Sequence, residues 1–513
     1  MGDGWILKNR VARGLTLFGH EPTRALLSLP WAIAHLITPD SFVGVHLLFI
    51  AVLWAKGVAM FAIIRRLPGA NDGIALLTGA LLIVHPASTW TIALDAPLDR
   101  HWAVLFLLVS VVCLLEIRRR NRWPWIAAMW AAQVVSLWTN EAILPSALAV
   151  PGLALWMHRD EHGHAWRSVL WWLPVPILNA VHNILHHVGF ALDAQWSHGA
   201  SRAVSVLATD DGVAAMLASV GVAYRKHLVD CWARAVAYAP DNWSSGAAAF
   251  IAAIALLATV VLLWRDADPA DPRLGRFLLV AGLVVLGLGF APFVPTSLRD
   301  TDGRSFIVSS VGATLAVVGA VQIVAGRKPW SRAVAVSLLG IAVGLGTSSL
   351  LGQRERYDRS SDAESALLRS IVEQAPRPDR GTVIAIEFRR PPGRFFKQNG
   401  FWPRANVFEN ALRYLYDDQS LHACLIFPHR ASRAALTPDG VEIRRSRHGG
   451  TTRYGYDRVL AFDGGLGGRA TLERSVPRPA GDTTPSAYNP QAIIVDADTL
   501  PARYRATFGP AIP

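Results

Sequence analysis

The chain has 513 residues, 52% of them hydrophobic and only 17% charged, with a formal net charge of +12. That is too apolar and too poor in charge for an ordinary soluble chain of this length. The basic balance does not point to nucleic acid, because much of the Lys and Arg sits in short runs beside apolar segments, where it orients a chain in a bilayer.

Met1–Glu21 is polar and mildly basic, and Leu15–Phe18 is too short for the core of a signal peptide. Thr23–Thr38 follows, about 16 residues or roughly 24 Å as a helix, with Pro30 inside it. It reads as an interfacial or re-entrant helix, with a short first span as the alternative.

Further apolar segments lie at Phe42–Ile64, Gly73–Ile92, Trp102–Glu116, Trp123–Trp138, Ala142–Trp156, Ser168–Phe190, Ala247–Trp264, Leu274–Pro295, Phe306–Ala325 and Ala333–Leu351. The expectation is a polytopic α-helical membrane protein of about ten spans. The stretch that orients them is Ala80–Arg122, two apolar runs joined by the turn Asp95–His101 and closed by the arginines at 118–120 and 122. Arg65-Arg66, Arg118–Arg122, Arg159 with Arg167, Arg265 with Arg273 and Arg276, and Arg327-Lys328 with Arg332 fall in every second connection. By the positive-inside rule the outward set is then Pro39–Ser41, Asp95–His101, Thr139–Glu141, the loop Ala191–Gly246, Ser297–Arg304 and everything after Leu351. The long loop carries a candidate surface helix, Ala214–Tyr238.

From Gly352 the composition changes. A helical pattern at Asp362–Gln374 and another at Asn406–Tyr416 alternate with strand-like runs at Thr382–Phe388, Ala423–Phe427, Arg458–Phe462 and Ala492–Val495. The domain expectation is therefore an external segment 1–41, a membrane domain 42–351, and a small α/β extracytoplasmic domain 352–513. Of the three cysteines, Cys113 falls in a span, and Cys231 with Cys424 is the one bridge left open.

Several short motifs carry a resemblance. Asp3-Gly4-Trp5 resembles an acidic first-external-loop motif, Pro22–Trp31 the surface helices after it, and Ala80–Asp95 the next span pair. Thr139-Asn140-Glu141 resembles a Thr-Lys-Glu motif with Asn in place of Lys, and Arg304-Ser305-Phe306 an Arg-aromatic start to a late span. Together they make Met1–Leu351 similar to the glycosyltransferase C superfamily, within it the protein O-mannosyltransferase-like enzymes. The resemblance implies a bacterial inner-membrane enzyme that moves a sugar from a polyprenyl-phosphate carrier to a glycan, lipid or protein acceptor on the outer face. It implies that the first-loop acid, Asp3 here, serves as base or helps to hold a divalent metal ion. Placing Asp3 outside needs a span before it, so the reading expects the frame to continue upstream; a solvated terminal acid is the plainer alternative.

The residue types suit the chemistry, since a carboxylate takes the acceptor's proton and fixed cations hold the departing phosphate. The acids are Asp3, Asp95 and Asp99. The donor- and acceptor-binding candidates are Arg100, His101, Glu141, His186, Arg299 and Arg304. For each, a polar cap or an interfacial anchor is the competing reading. His182 and His186 stand i, i+4 and present one face. The rival function is a transporter or lipid flippase, against which the expected spans offer few ionisable groups apart from His85 and the Glu141 region.

Overall fold

The computed structural model describes residues 22–39, 42–89, 98–117, 122–157, 162–191, 212–242, 251, 254, 272–294, 306–325, 329–389, 405–427, 434–444, 450–465, 468–475, 488–496 and 499–508. Helices α1 (Leu29–Ile37), α2 (Val43–Arg65), α3 (Asp72–Val84), α4 (Pro86–Thr89), α5 (Leu98–Glu116), α6 (Arg122–Thr139), α7 (Leu144–Met157), α8 (His162–Trp172) and α9 (Pro174–Ala191) open the chain. Then come α10 (Gly212–Arg225), a π-helical turn (Lys226–Asp230), α11 (Cys231–Asn242), α12 (Pro272–Phe290), α13 (Phe306–Ala325) and α14 (Pro329–Gln374).

Among the described residues five segments are long and apolar enough to cross a membrane: Val43–Arg65, Leu98–Glu116, Trp166–His186, Arg273–Phe293 and Phe306–Val324. Asp72–Val84 and Glu141–Trp156 are apolar but shorter. The ten spans of the sequence reading are thus matched in part. The Ala247–Trp264 run lies outside the described residues except for Ile251 and Ile254, and Ala333–Leu351 forms the first half of α14. Apolar side chains that a soluble protein would bury face outward in rows, Leu47, Ile50, Trp54 and Val58 on α2 and Ile177, Val181, Ile184 and Leu185 on α9. Such rows suit lipid, and the chain is a multi-pass membrane protein. Helix α1 has nine residues, about 14 Å, too short to cross. Its Pro30 stands in the first turn, where the missing N–H costs nothing.

Ion pairs and contacts fix which helix ends lie together. His101 on α5 meets Phe49 and Lys56 of α2, while Glu116 at the other end of α5 binds Arg66 (Nε–Oε1 2.6 Å). The two helices therefore run parallel. Helix α6 returns, its Ser136 hydroxyl donating to the Ala103 carbonyl (2.7 Å). One end of the bundle gathers Asp99–His101 and Thr139–Glu141, and Pro39 before α2. The other holds Arg66 with Glu116 and Arg65 with Asp72 (2.8 Å).

Helices α12 and α13 pack backbone to backbone along a glycine seam, Gly275, Gly282 and Gly289 facing Gly312 and Gly319. A Cβ on Gly289 would stand 2.8 Å from the Ser309 nitrogen, and one on Gly312 2.7 Å from the Leu286 Cα. Small residues at such spacing let apolar helices approach closely in lipid.

Helix α14 runs unbroken for 46 residues, about 69 Å, through the expected boundary at Gly352. A Cβ at its Gly346 would collide with the Val84 carbonyl, so α14 passes the end of α3 there before leaving the bundle. Its last turns lock into a small mixed domain whose strands are β1 (Arg377–Pro378), β2 (Val383–Glu387), β3 (His422–Ile426), β4 (Ala434–Thr437), β5 (Gly440–Arg444), β6 (Thr451–Gly455), β7 (Val459–Gly464), β8 (Ala470–Leu472) and β9 (Ile494–Asp496). The main sheet has the order β3-β2-β7-β8, with β2 parallel to both β3 and β7. Its central run Val383–Ile386 is fully buried, as a strand covered on both faces must be. Gln374 caps the edge strand β8, its amide donating to the Ala470 carbonyl (2.7 Å) and accepting from the Leu472 N–H (2.8 Å). A separate antiparallel sheet, β4-β5-β6, stands beside it. α15 (Ala405–Tyr416) covers β3, and its Tyr414 hydroxyl approaches the Pro39 carbonyl at 3.5 Å. The domain therefore sits at the same bundle end as Asp99 and Glu141. The three cysteines are free and buried, so the Cys231–Cys424 bridge left open above is not formed.

Candidate functional site

At that end four charges of alternating sign come together. Arg24 closes a 3-10 turn, Pro22–Arg24, that docks against the end of α6, with the Leu26 N–H donating to the Trp138 carbonyl (3.0 Å). Its guanidinium binds both carboxylate oxygens of Glu141 through Nε and Nη2. Glu141 stands in its own 3-10 turn, Glu141–Ile143, after Asn140, whose side chain accepts from the Ala142 N–H. A bidentate pair fixes orientation as well as charge.

Asp99 and Arg100 open α5. Asp99 lies in the first turn of α5, a natural place for an acid at a helix N-terminus. Both Arg24 and Arg100 lie within electrostatic reach of Asp99, and Arg100 also feels Glu141. The Arg100 guanidinium lies over the Phe293 ring (5.9 Å), and its Nη1 is buried without a hydrogen-bond partner among the described residues. Asp99 is 7% exposed, whereas the Arg24 and Glu141 side chains are 34% and 27% exposed. The site has a wet half and a dry half.

An aromatic wall continues from Phe293 to Phe290 and Phe306 (ring centroids 6.4 and 6.0 Å apart). With Ala142 and Ala223 these rings form a satellite cluster apart from the main core. Lys226 lies over Phe306 (5.7 Å), and the Ser309 hydroxyl bonds His227 Nε2 (2.7 Å) while His227 Nδ1 bonds the Ala223 carbonyl (2.7 Å). The helix expected at Ala214–Tyr238 is therefore present, longer by a few residues and pinned at its π-helical turn to the wall.

Of the candidates from the sequence, Asp99, Arg100 and Glu141 meet in one cluster. His101 is adjacent in sequence but fully buried, its ring bonded to Lys56 (Nζ–Nδ1 3.0 Å). His186 stacks with His182 (6.2 Å, 12° between planes) on α9, which touches the Pro22–Arg24 turn. Asp3, Asp95, Arg299 and Arg304 lie outside the described residues. Among the described residues no three His, Cys, Asp or Glu side chains gather as metal ligands. Nothing in the sequence around Arg24 marks it as part of the site; only its docking against Glu141 reveals it. Lys56 was legible, a cation midway along Phe42–Ile64, and it corrects the view that the spans hold few ionisable groups beyond His85 and the Glu141 region.

No family model matches the chain, and no curated protein matches it. Among solved structures it is similar to the crystal structure of ArnT from Cupriavidus metallidurans in the apo state, at 15% identity, over 84% of this chain and 81% of that one, with a TM-score of 0.30. Folds related at that score do not superpose closely, and the functional reading rests on this chain's own residues.

Proposed function

We propose that the chain is an integral membrane glycosyltransferase that takes a sugar from a polyprenyl-phosphate carrier at the bundle end bearing the C-terminal domain, the outer face of the membrane. The observation that carries this reading is the four-charge cluster Arg24, Asp99, Arg100 and Glu141, set beside an apolar aromatic wall. An anionic head on an apolar tail needs that pairing of guanidinium groups with a greasy surface. In the reaction the bond from the sugar's anomeric carbon to the phosphate oxygen breaks, and the electron pair leaves with the polyprenyl phosphate. The acceptor hydroxyl oxygen forms the new bond and gives up its proton. Glu141, the more exposed of the two described carboxylates, takes that proton; Arg24 and Arg100 hold the phosphate, with Arg299 and Arg304 as further candidate cations from the sequence. Asp3 and Asp95 are further candidate acids from the sequence.

Purified protein in lipid nanodiscs, given a polyprenyl-phosphate donor with a labelled sugar, tests the proposal. Release of polyprenyl phosphate, abolished in Glu141→Gln and Arg100→Ala, is the expected result. Turnover unchanged in both variants would overturn the assignment of these residues. A transporter is the second reading, favoured by one observation, the Lys56–His101 pair buried in the bundle. Translocation of a labelled polyprenyl-phosphate lipid between leaflets, without cleavage, would favour it.

A further inference from the structure

Helices α6, α7 and α9 enclose a group of uncharged polar side chains beside the charge cluster. The turn that carries Glu141 joins α6 to α7, and α9 packs against both helices and against the Pro22–Arg24 turn. Helix α9 exposes Ile177, Val181, Ile184 and Leu185 on one face and buries Val175, Asn179 and Asn183 on the other. Trp172, fully buried at the end of α8, ties α6 to α7. Its carbonyl accepts from the Gln133 amide on α6 (3.3 Å), and its indole N–H donates to the carbonyl of Ala147 (2.9 Å), the neighbour of Ser146 on α7. Contact between the Trp138 and His182 rings (6.2 Å) brings the Asn183 end of α9 level with the last turn of α6, next to Glu141.

In this group Asn179 is 0% exposed, Gln133 1%, Ser146 2% and Asn183 8%. The Asn183 amide donates to the Asn179 side-chain oxygen (3.0 Å) and to its carbonyl (2.9 Å). Asn179 Nδ2 and Asn183 Oδ1 then have no hydrogen-bond partner among the described residues, and neither do Gln133 Oε1 and Ser146 Oγ. Amide and hydroxyl side chains inside a membrane protein normally bond across helices, so four such atoms left over point to a ligand. They offer one donor, two acceptors and a hydroxyl that serves as either, and none of the four side chains is charged. Hydroxyl groups complement such a set, because each both donates and accepts. We infer that the neutral, hydroxylated ring of the transferred sugar seats between α6, α7 and α9, read by Gln133, Ser146, Asn179 and Asn183. The inference rests on the reading of the charge cluster as the place of the donor's phosphate. Guanidinium groups then take the phosphate, and amides select the sugar.

The test is calorimetric titration of the full chain in detergent with citronellyl phosphodiesters. One probe is methyl citronellyl phosphate, which has no sugar; the others carry glucose, galactose, mannose, arabinose or glucuronic acid in place of the methyl group. At least one neutral sugar should tighten binding about tenfold over the methyl probe, the worth of one net hydrogen bond, and glucuronic acid should not. Asn183→Leu and Gln133→Leu should each lower the affinity for that glycosyl probe to the level of the methyl probe, whose own affinity stays unchanged. If a variant does not fold, the wild-type protein gives an equivalent readout: single deoxy analogues of the preferred sugar should lose about tenfold at one position or more. The inference is overturned, with the phosphate site left standing, by no gain from any neutral sugar, an equal gain from glucuronic acid, a gain kept in both variants, or no loss from any deoxy analogue. Equal weakening of methyl and glycosyl probes by the variants makes the amides part of the helix packing alone, and the inference fails. A folded wild-type protein that does not bind methyl citronellyl phosphate refutes the reading of the charge cluster itself.

Discussion

The glycine seam between α12 and α13 makes a sharp prediction, because the same substitution should have opposite effects at two positions. At Gly312 an added methyl group meets the Leu286 nitrogen, the Gly282 carbonyl and the Leu286 Cα, all backbone atoms of α12 that cannot rotate away. The helices must separate, and overpacking of this kind costs about 3 kcal/mol, the upper part of the usual range. Replacing a helical glycine by alanine returns about 1 kcal/mol, leaving Gly312→Ala about 2 kcal/mol less stable. At Gly152, on α7, a Cβ meets nothing within 4 Å, so Gly152→Ala keeps only the gain. The two variants should differ by about 3 kcal/mol. Thermal unfolding in one detergent, followed by tryptophan fluorescence, ranks them with the wild type between. Gly312→Ala at or above the wild-type midpoint would show that the helices are not in backbone contact. The aromatic wall, which hangs from the ends of those two helices, would then be misplaced.

Other consequences can be measured separately. An alkaline phosphatase fusion after Gly352 should be active on the proposal that the end carrying Asp99 and Glu141, where α14 emerges, faces outward as the arginine pattern leads one to expect; activity only in cytoplasmic reporters would invert the topology. Arg24 and Glu141 are each about a third exposed, so a double-alanine cycle should give a stability coupling of only about 1 kcal/mol despite the bidentate geometry, and a value near zero would mean the turn at Pro22–Arg24 does not dock. Burial pushes the His227 imidazole down to about 4 from its ordinary 6.5. The folded state therefore binds this proton less readily than the unfolded one, and the stability it holds above pH 6.5 should fall away as pH drops toward 4. His227→Gln should flatten that part of the stability profile; an unchanged slope would mean that the acid sensitivity arises elsewhere.

What could be read from residues alone follows the physics that local sequence records. The long apolar runs of α2, α5, α12 and α13 announce themselves, because lipid demands continuous hydrophobicity. The alternation of arginines predicted that Pro39, Asp99–His101, Thr139–Glu141 and the C-terminal domain share one end of the bundle, which the packing of α2, α5 and α14 reproduces. Strands β2, β3 and β7 were also visible as short buried runs. Other features depend on distant contacts. The β4–β6 sheet alternates polar and apolar residues too weakly to stand out, while the strand expected at Ala492–Val495 forms as Ile494–Asp496, pairing with Arg377–Pro378, the first two expected residues ending a short helix at Pro490–Ile493. The proline at 174 divides the expected span Ser168–Phe190 into α8 and α9, yet the two still make one apolar stretch. The continuity of α14 through Gly352 is not legible in the sequence, because composition shifts from apolar to charged within a single helix. In the cluster, Asp99, Arg100 and Glu141 were picked out by their place in outward turns, whereas Arg24, 117 residues from Glu141, joins them only in three dimensions.

The most direct test of the account is single-turnover sugar transfer from a labelled polyprenyl-phosphate donor by purified full-length protein, comparing wild type with Glu141→Gln, Arg100→Ala and Arg24→Ala. The account predicts donor cleavage by the wild type, loss of the chemical step with bound donor retained in Glu141→Gln, and weakened donor binding in both arginine variants. A folded wild-type protein that binds the donor and never cleaves it, or full transfer by all three variants, would contradict it.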